Sequence, residues 1–465
     1  MEVCQTFERA CWSSFSLHPI LPEQTGILRG PRGLMREFLD LLRQNRNYRY
    51  TWMGQVVSEI GDNFNNIAVF ALAMQLTHSG LVVMGVMLSR AIPAVAIGPL
   101  AGVLLDRFDR KRIMIASDLT RAVVALGFIL ALRQQQVWLL YVFSALLMIA
   151  SPFFTAGRTA ILPTIANRDE IHTANSLTQT TQWTNLTIGT FLGATVVGIG
   201  YEWAFTFNAL SFLFSAWSIW NLRPPKGKQF RAEHRDLTEA EVVRPWHEYR
   251  EGLRYMRSIP LVFAIALLAV GWATGGGAAQ ILFSLFGEVV FNRGAAGIGT
   301  IWGCAGLGLL LGGAFANWLG RRLSFEEYKL AVFIDYAVHG GAYVLFSRMK
   351  QFELALVFIL LSRAAMAVNS ILNYSYLLKA VSDQYRGRVF STIETLTWSM
   401  MMLSMTAAGI ASTHYSPRTI GTVAGLLSSS TALFWGWANW SGRLPLPEAC
   451  GVDRSEVEIH GDPVV

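Results

Sequence analysis

Apolar residues gather along this chain into long runs divided by short polar connections. Twelve runs approach or exceed the roughly 20 residues of a bilayer-spanning helix. They cover 50–75, 81–104, 113–132, 137–157, 173–198 and 203–222, then 260–290, 297–319, 328–347, 353–378, 390–412 and 419–440. None alternates with period two, which excludes barrel strands of about ten residues. Ahead of the first run, Leu34, Phe38, Leu41 and Leu42 line one helical face beside Arg36, Arg43 and Arg46. That pattern predicts an amphipathic helix on the inner leaflet.

Composition agrees with an all-α membrane protein. Hydrophobic residues make up 52% of the 465 and charged residues 15%, against about 25% charged in soluble domains. Of the 38 Lys and Arg, the segments on one side of the runs hold 30, counting Lys329 at the edge of its run. The other side holds only Arg133, Arg293, Arg348, Lys350 and Arg418. Basic residues mark the cytoplasmic side, so both termini are expected inside a cell inner (plasma) membrane. The expected organisation is a cytoplasmic tail 1–49, a six-helix bundle 50–222, a basic central loop 223–259, a second bundle 260–440 and a cytoplasmic tail 441–465.

Built-in chemistry is scarce. Cys4, Cys11, Cys304 and Cys450 form no CxxC pair, and no HExxH or GxxxxGK[ST] occurs. The expectation is therefore no enzyme, no metal, no cofactor and no ATP motor. Residues 1–33 do not follow a signal-peptide plan, since Glu2, Glu8 and Pro19 interrupt it. Met35 opens a better-patterned start.

The two halves repeat. Gly102, Asp106, Asp109 and Arg110 recur in type or spacing as Gly313, Asn317, Gly320 and Arg321, and 161–176 aligns with 377–392. Two related six-helix halves imply a substrate path at their interface.

Ionisable groups inside apolar runs cost on the order of 2.5–3.5 kcal/mol each, so the few present are candidates for transport chemistry. Gln55, Glu59, Asp62 and Asn66 step by four, three and four residues and share one helical face. Asp62 first, and Glu59 second, are the candidate proton carriers. Arg90, Asp118 and Arg121 are expected to neutralise these acids or one another across packed helices, or to switch pairing on protonation. In the second half Asp335 repeats Asp118, and Arg363 either pairs with Glu394 or meets substrate. Candidate cavity residues are Asn66, Gln182, Asn185, Trp272, Gln280, Arg363, Asn369, Glu394 and Trp398. Asn373 faces with Asn369. Gly189 and Gly193, then Gly299, Gly303, Gly308 and Gly312, are small pairs suited to close helix packing. Gly275, Gly276 and Gly277 could unwind their helix.

The stretch SRAIPAVAIGPLAGVLLDRFDRKRIMIASDLTRAVV (89–124) resembles the signature of the major facilitator superfamily. GQVVSEIGDNFNNIAV, LPTIANRDEIHTANSL, EGLRYMRSIPL and RGRV are similar to its branch holding the enterobactin exporter and macrolide efflux proteins. The resemblance covers roughly 35–440. It implies two pseudo-symmetric six-helix bundles and export of an amphiphilic compound, such as a siderophore, macrolide or drug, driven by inward proton flow. It also implies that Asp106, with Arg110 and Gly102, forms a gating latch on the start of the eleventh span. One departure is Thr190, which stands where drug antiporters often carry the proline of a Gly-Pro. A lipid transporter or flippase and a non-transporting sensor are the other readings. The expected partners are the bilayer and an amphiphilic small molecule, with no nucleic acid and a monomeric chain.

Overall fold

The computed structural model describes residues 31–224, 230, 245–320 and 322–445. Fourteen α-helices account for most of them, and no strand occurs among the described residues. They are α1 Pro31–Gln44, α2 Arg46–Thr77, α3 Gly80–Arg107, α4 Arg110–Gln134, α5 Val137–Ile165, α6 Arg168–Ile199, α7 Tyr201–Trp220, α8 Pro245–Ser258, α9 Pro260–Leu285, α10 Gly294–Leu319, α11 Phe325–Arg348, α12 Phe352–Ala380, α13 Asp383–Ala411 and α14 Pro417–Trp440. A π-helical turn, Phe286–Val290, extends α9. The tails 1–30 and 446–465 and most of the central loop lie outside the described residues.

Polar residues at the breaks set the helix ends. Asn45 separates α1 from α2; its side chain accepts from the Tyr48 amide and donates to the Ile165 carbonyl at 2.8 Å and to Glu170 at 2.9 Å. One residue thus caps α2 and pins it to the α5–α6 junction. Asp109 caps α4, and Ser324 with Glu327 forms a capping box on α11. Pro260 and Pro417 occupy first turns, where a missing N–H costs nothing.

Among the described residues, seven helices are long and apolar enough to cross a membrane: α3, α4, α5, α9 with its π turn, α10, α11 and α12. By length, α2 qualifies as well, at 32 residues, but it carries many polar side chains. Several of these turn inward: Gln55, Ser58 and Asn65 are buried. Leu126, Leu210, Leu361 and Leu433 are among the many large apolar side chains left on the outer surface, as a lipid-facing surface requires.

Packing repeats between the halves. In the first, α2 packs on α6 and α7, α5 on α3 and α4, and α4 on α7. In the second, α9 packs on α13 and α14, α12 on α10 and α11, and α11 on α14. The amphipathic helices obey the same rule, α1 docking on α2 and α6, and α8 on α9 and α13. Phe38 and Leu41 of α1 bury against Tyr48, Ala174 and Leu177, so these two apolar residues face protein where the pattern suggested a leaflet. The halves meet chiefly through α6 against α10 and α3 against α13.

That meeting is lopsided along the helices. At the end where α2 leads into α3, one hydrophobic core joins Phe64–Met74 of α2 to Ala278 and Phe283 of α9, Ile298 and Ile301 of α10 and Met405 of α13. At the opposite end the cores are separate. One, including Met256, Tyr328 and Trp435, belongs wholly to the second half; others, around Met114 and around Phe38, belong to the first.

Two sequence expectations are corrected here. Gly275–277 do not unwind α9, which is helical throughout. Gly275 packs on the Ala424 backbone of α14 and Gly277 on the Met401 backbone of α13, so the glycines serve close approach. Second, the fourth apolar run does not stop at 157. α5 continues to Ile165, which moves Arg158 from a presumed loop into a helix.

Candidate functional site

The α2 polar stripe runs from Gln55 to Asn66 and overlaps the start of the shared core at Phe64. Glu59 is its centre. Its Oε1 accepts from Gln55 Nε2 at 2.8 Å and from Arg158 Nη1 at 3.2 Å, while Oε2 accepts from Asn185 Nδ2 at 2.9 Å. Asn63 Nδ2 donates to the Glu59 and Asn185 carbonyls at 2.8 and 3.1 Å. One carboxylate therefore ties α2 to α5 and α6. The side chains of Glu59 and Arg158 are 22% and 14% exposed, so the pair is partly wetted.

Arg158 is the partner that sequence reasoning missed. Glu59 was expected to meet Arg90 or Arg121, and it meets neither at ion-pair distance among the described residues. Arg158 lies just past the expected end of the run 137–157. The apolar Ala160–Ile165 stretch after it was the available signal that the helix continues.

Asp62, one turn on, is half-buried and feels the charges of Arg121 and Arg90, with Glu59 and Asp118 as like-charged neighbours. No ion pair within 4.0 Å joins Asp62 to either arginine among the described residues. Asp118 and Arg121 pair with each other on α4, three residues apart and both buried. The pairing is within one helix where it was expected across helices. Phe154 and Phe212 flank the Arg121 guanidinium at 4.5 and 4.3 Å from their ring centres, which supplies cation–π contact on both sides. Arg90 leaves its Nη1 without a hydrogen bond.

The second half is built otherwise. Arg363 does not pair with Glu394. It is 6% exposed on α12, donating to Met366 Sδ at 3.3 Å with the Phe283 ring 5.1 Å away. Glu394 is buried on α13, a helix that α12 does not substantially pack against. His339 on α11, not singled out in the sequence, is buried near this arginine; its Nδ1 lies 3.0 Å from the Ser362 hydroxyl and its Nε2 3.4 Å from that of Ser428. Asp335 is half-buried with Oδ2 unbonded.

The candidate cavity residues scatter. Asn185 joins the Glu59 cluster. Asn66, Gln182, Gln280 and Trp398 are half-buried, and Asn66 Oδ1 has no hydrogen bond. Trp272 lies in the second-half core. Asn369 donates to the Val332 carbonyl at 3.4 Å and accepts from Asn373, which accepts from Tyr328 at 2.8 Å. These two asparagines fasten α12 to α11.

In the latch region, the Asp106 and Asn317 side chains lie outside the described residues. Gly102 is half-buried. Arg110 Nη1 donates to the Ala160 carbonyl of α5 at 2.8 Å. The small-residue pairs divide by face. Gly303 and Gly306 press on Phe191 and Thr187 of α6, and Gly308 and Gly312 press on the α12 backbone at Leu360 and Ala364. Gly189 and Gly193 receive Asn63 and Phe64 of α2.

Comparison with known proteins accords with this architecture. Residues 51–405 match the family model of the Major Facilitator Superfamily. The putative bacilysin exporter BacE of Bacillus subtilis is 25% identical over 75% of this chain and 84% of its own. Macrolide efflux protein A of Streptococcus pyogenes is 23% identical over 82% and 92%, and the enterobactin exporter EntS of Escherichia coli 25% over 76% and 82%. Among solved structures, a bacterial homologue of the iron transporter ferroportin in an inward-facing state superposes with a TM-score of 0.66, at 15% identity, over 86% of this chain and 99% of that one. With the family match covering most of the helices, the chain belongs to the major facilitator superfamily and is a multi-pass membrane transporter, not an enzyme.

Proposed function

We propose that the protein exports an amphiphilic small molecule from the cytoplasm across the plasma membrane in exchange for protons, by alternating access between two six-helix halves. In this reading the halves are α2–α7 and α9–α14, giving twelve spans with both termini inside. The observation that carries it is the Glu59 cluster. A carboxylate held by Gln55, Arg158 and Asn185 from three helices loses its attraction to the guanidinium when it takes a proton. Three helices are then released at the place where the shared core begins. Asp62, in the field of Arg90 and Arg121, is the second proton-binding group and passes its charge state to α3 and α4.

The lopsided cores fit one state of such a cycle. With the α2–α3 end outward, as the basic residues imply, the shared core is the closed outer gate. The separate cores belong to an inward-facing state. Rocking the halves opens one end as it closes the other. The relatives named for bacilysin, macrolide and enterobactin transport support efflux over uptake and over lipid movement.

The test is flux in proteoliposomes under an imposed pH gradient. A transported macrolide or siderophore should dissipate the gradient, and Asp62→Asn should abolish gradient-driven movement while the protein still folds. Retained coupling in Asp62→Asn would leave Glu59 as the proton site, and lipid movement indifferent to the gradient would favour a flippase.

A further inference from the structure

A cavity of about 260 Å³ opens on α8, lined by Arg250, Leu253, Arg254 and Arg257. The arginines fall at steps of four and three residues, so their guanidinium groups share one helical face. All three are exposed. None makes a hydrogen bond or an ion pair among the described residues. The opposite face of α8 is fixed. Gly252 abuts Thr392 and the Arg388 backbone, Met256 is buried, Glu251 meets Arg388 at 2.6 Å, and Tyr255 stacks on Tyr385 at 4.4 Å between ring centres. The helix therefore cannot roll to spread its charges.

We infer that this cavity holds the phosphate of an anionic phospholipid. Guanidinium groups bind phosphate oxygens through paired N–H donors, and three converging on one hollow match a single phosphodiester. Leu253 adds an apolar wall suited to the glycerol and first acyl carbons. The location agrees: α8 is an amphipathic helix against the ends of α9 and α13, on the basic side of the chain, where anionic headgroups gather. Because α8 is tied to α13 through Glu251 and Tyr255, a bound headgroup steadies that joint.

The experiment uses the full-length protein in phosphatidylcholine nanodiscs, with phosphatidylglycerol titrated in. Retained lipid is read by native mass spectrometry and thermal unfolding in parallel. The wild type should retain phosphatidylglycerol and unfold at higher temperature with it. R250Q/R254Q/R257Q should weaken retention on the order of 100-fold, as expected for three basic groups at an anionic surface. R36Q/R43Q/R46Q removes equal charge on and beside α1 and should retain lipid as the wild type does. Equal loss in both triple variants would reduce the effect to a diffuse surface field and overturn the site. Protection by inorganic phosphate alone would make the ligand a free anion. Absence of retained lipid in the wild type would also overturn it.

Discussion

The Glu59 carboxylate lies 3.2 Å from the Arg158 guanidinium, joining α2 to α5 across 99 residues of sequence. Removing Arg158 leaves the Glu59 carboxylate with only the neutral donors Gln55 and Asn185. Arg158→Ala should destabilise the protein by about 3–5 kcal/mol, the range for breaking a buried pair, and toward the low end because the pair is partly wetted. E59Q/R158Q should recover most of that stability and still lack gradient-driven transport. Thermal unfolding in detergent and proteoliposome flux separate the two effects; restored coupling in the double variant would show that the pair is only a strut.

Arg363 is buried against Phe283 and Met366, with no carboxylate in ion-pair contact among the described residues. A charge so placed destabilises a fold, and well-packed apolar replacements of buried charges stabilise by about 1–4 kcal/mol. Arg363→Met should therefore raise the unfolding temperature. If the guanidinium meets cargo during transport, export should fall in the same variant. Higher stability with unchanged export would make Arg363 dispensable.

Between the halves, a Cβ on Gly303 would stand 2.6 Å from the Phe191 ring. Gly303→Leu should wedge α10 from α6 at the shared core and cost the closed state about 1–3 kcal/mol, the usual penalty of overpacking. Spin labels across the α2–α3 end should report longer distances in the variant. An unchanged distance distribution would mean that the seal rests on other contacts.

Arg388 and Glu251 are each about one-third exposed. A double-mutant cycle on this pair should return at most about 1 kcal/mol, as exposed ion pairs do. Tyr255→Ala should loosen α8 more, since it removes the stack on Tyr385 and the contact of its hydroxyl with Ser382 at 3.2 Å. Limited proteolysis near 245–258 would rank the two; equal susceptibility would contradict the stack's larger share.

What the amino-acid order settled by itself is one-dimensional. Runs of apolar residues give helix positions because burial in lipid depends on each side chain's own transfer energy. The 211-residue offset between Gly102, Asp109 and Arg110 and their counterparts Gly313, Gly320 and Arg321 is legible too, since it needs only matching along the chain. The polar face of α2 was also readable, since Gln55, Glu59 and Asp62 need only helical spacing to align. Which groups those faces meet was not. Glu59 finds Asn185 from 126 residues away, and Arg363 misses Glu394, because partners depend on how each helix is rotated and crossed by its neighbours. Packing against glycines and aromatics chose those rotations, and only the assembled helices could place Arg158 beside an acid or join the cores of both halves at a single end.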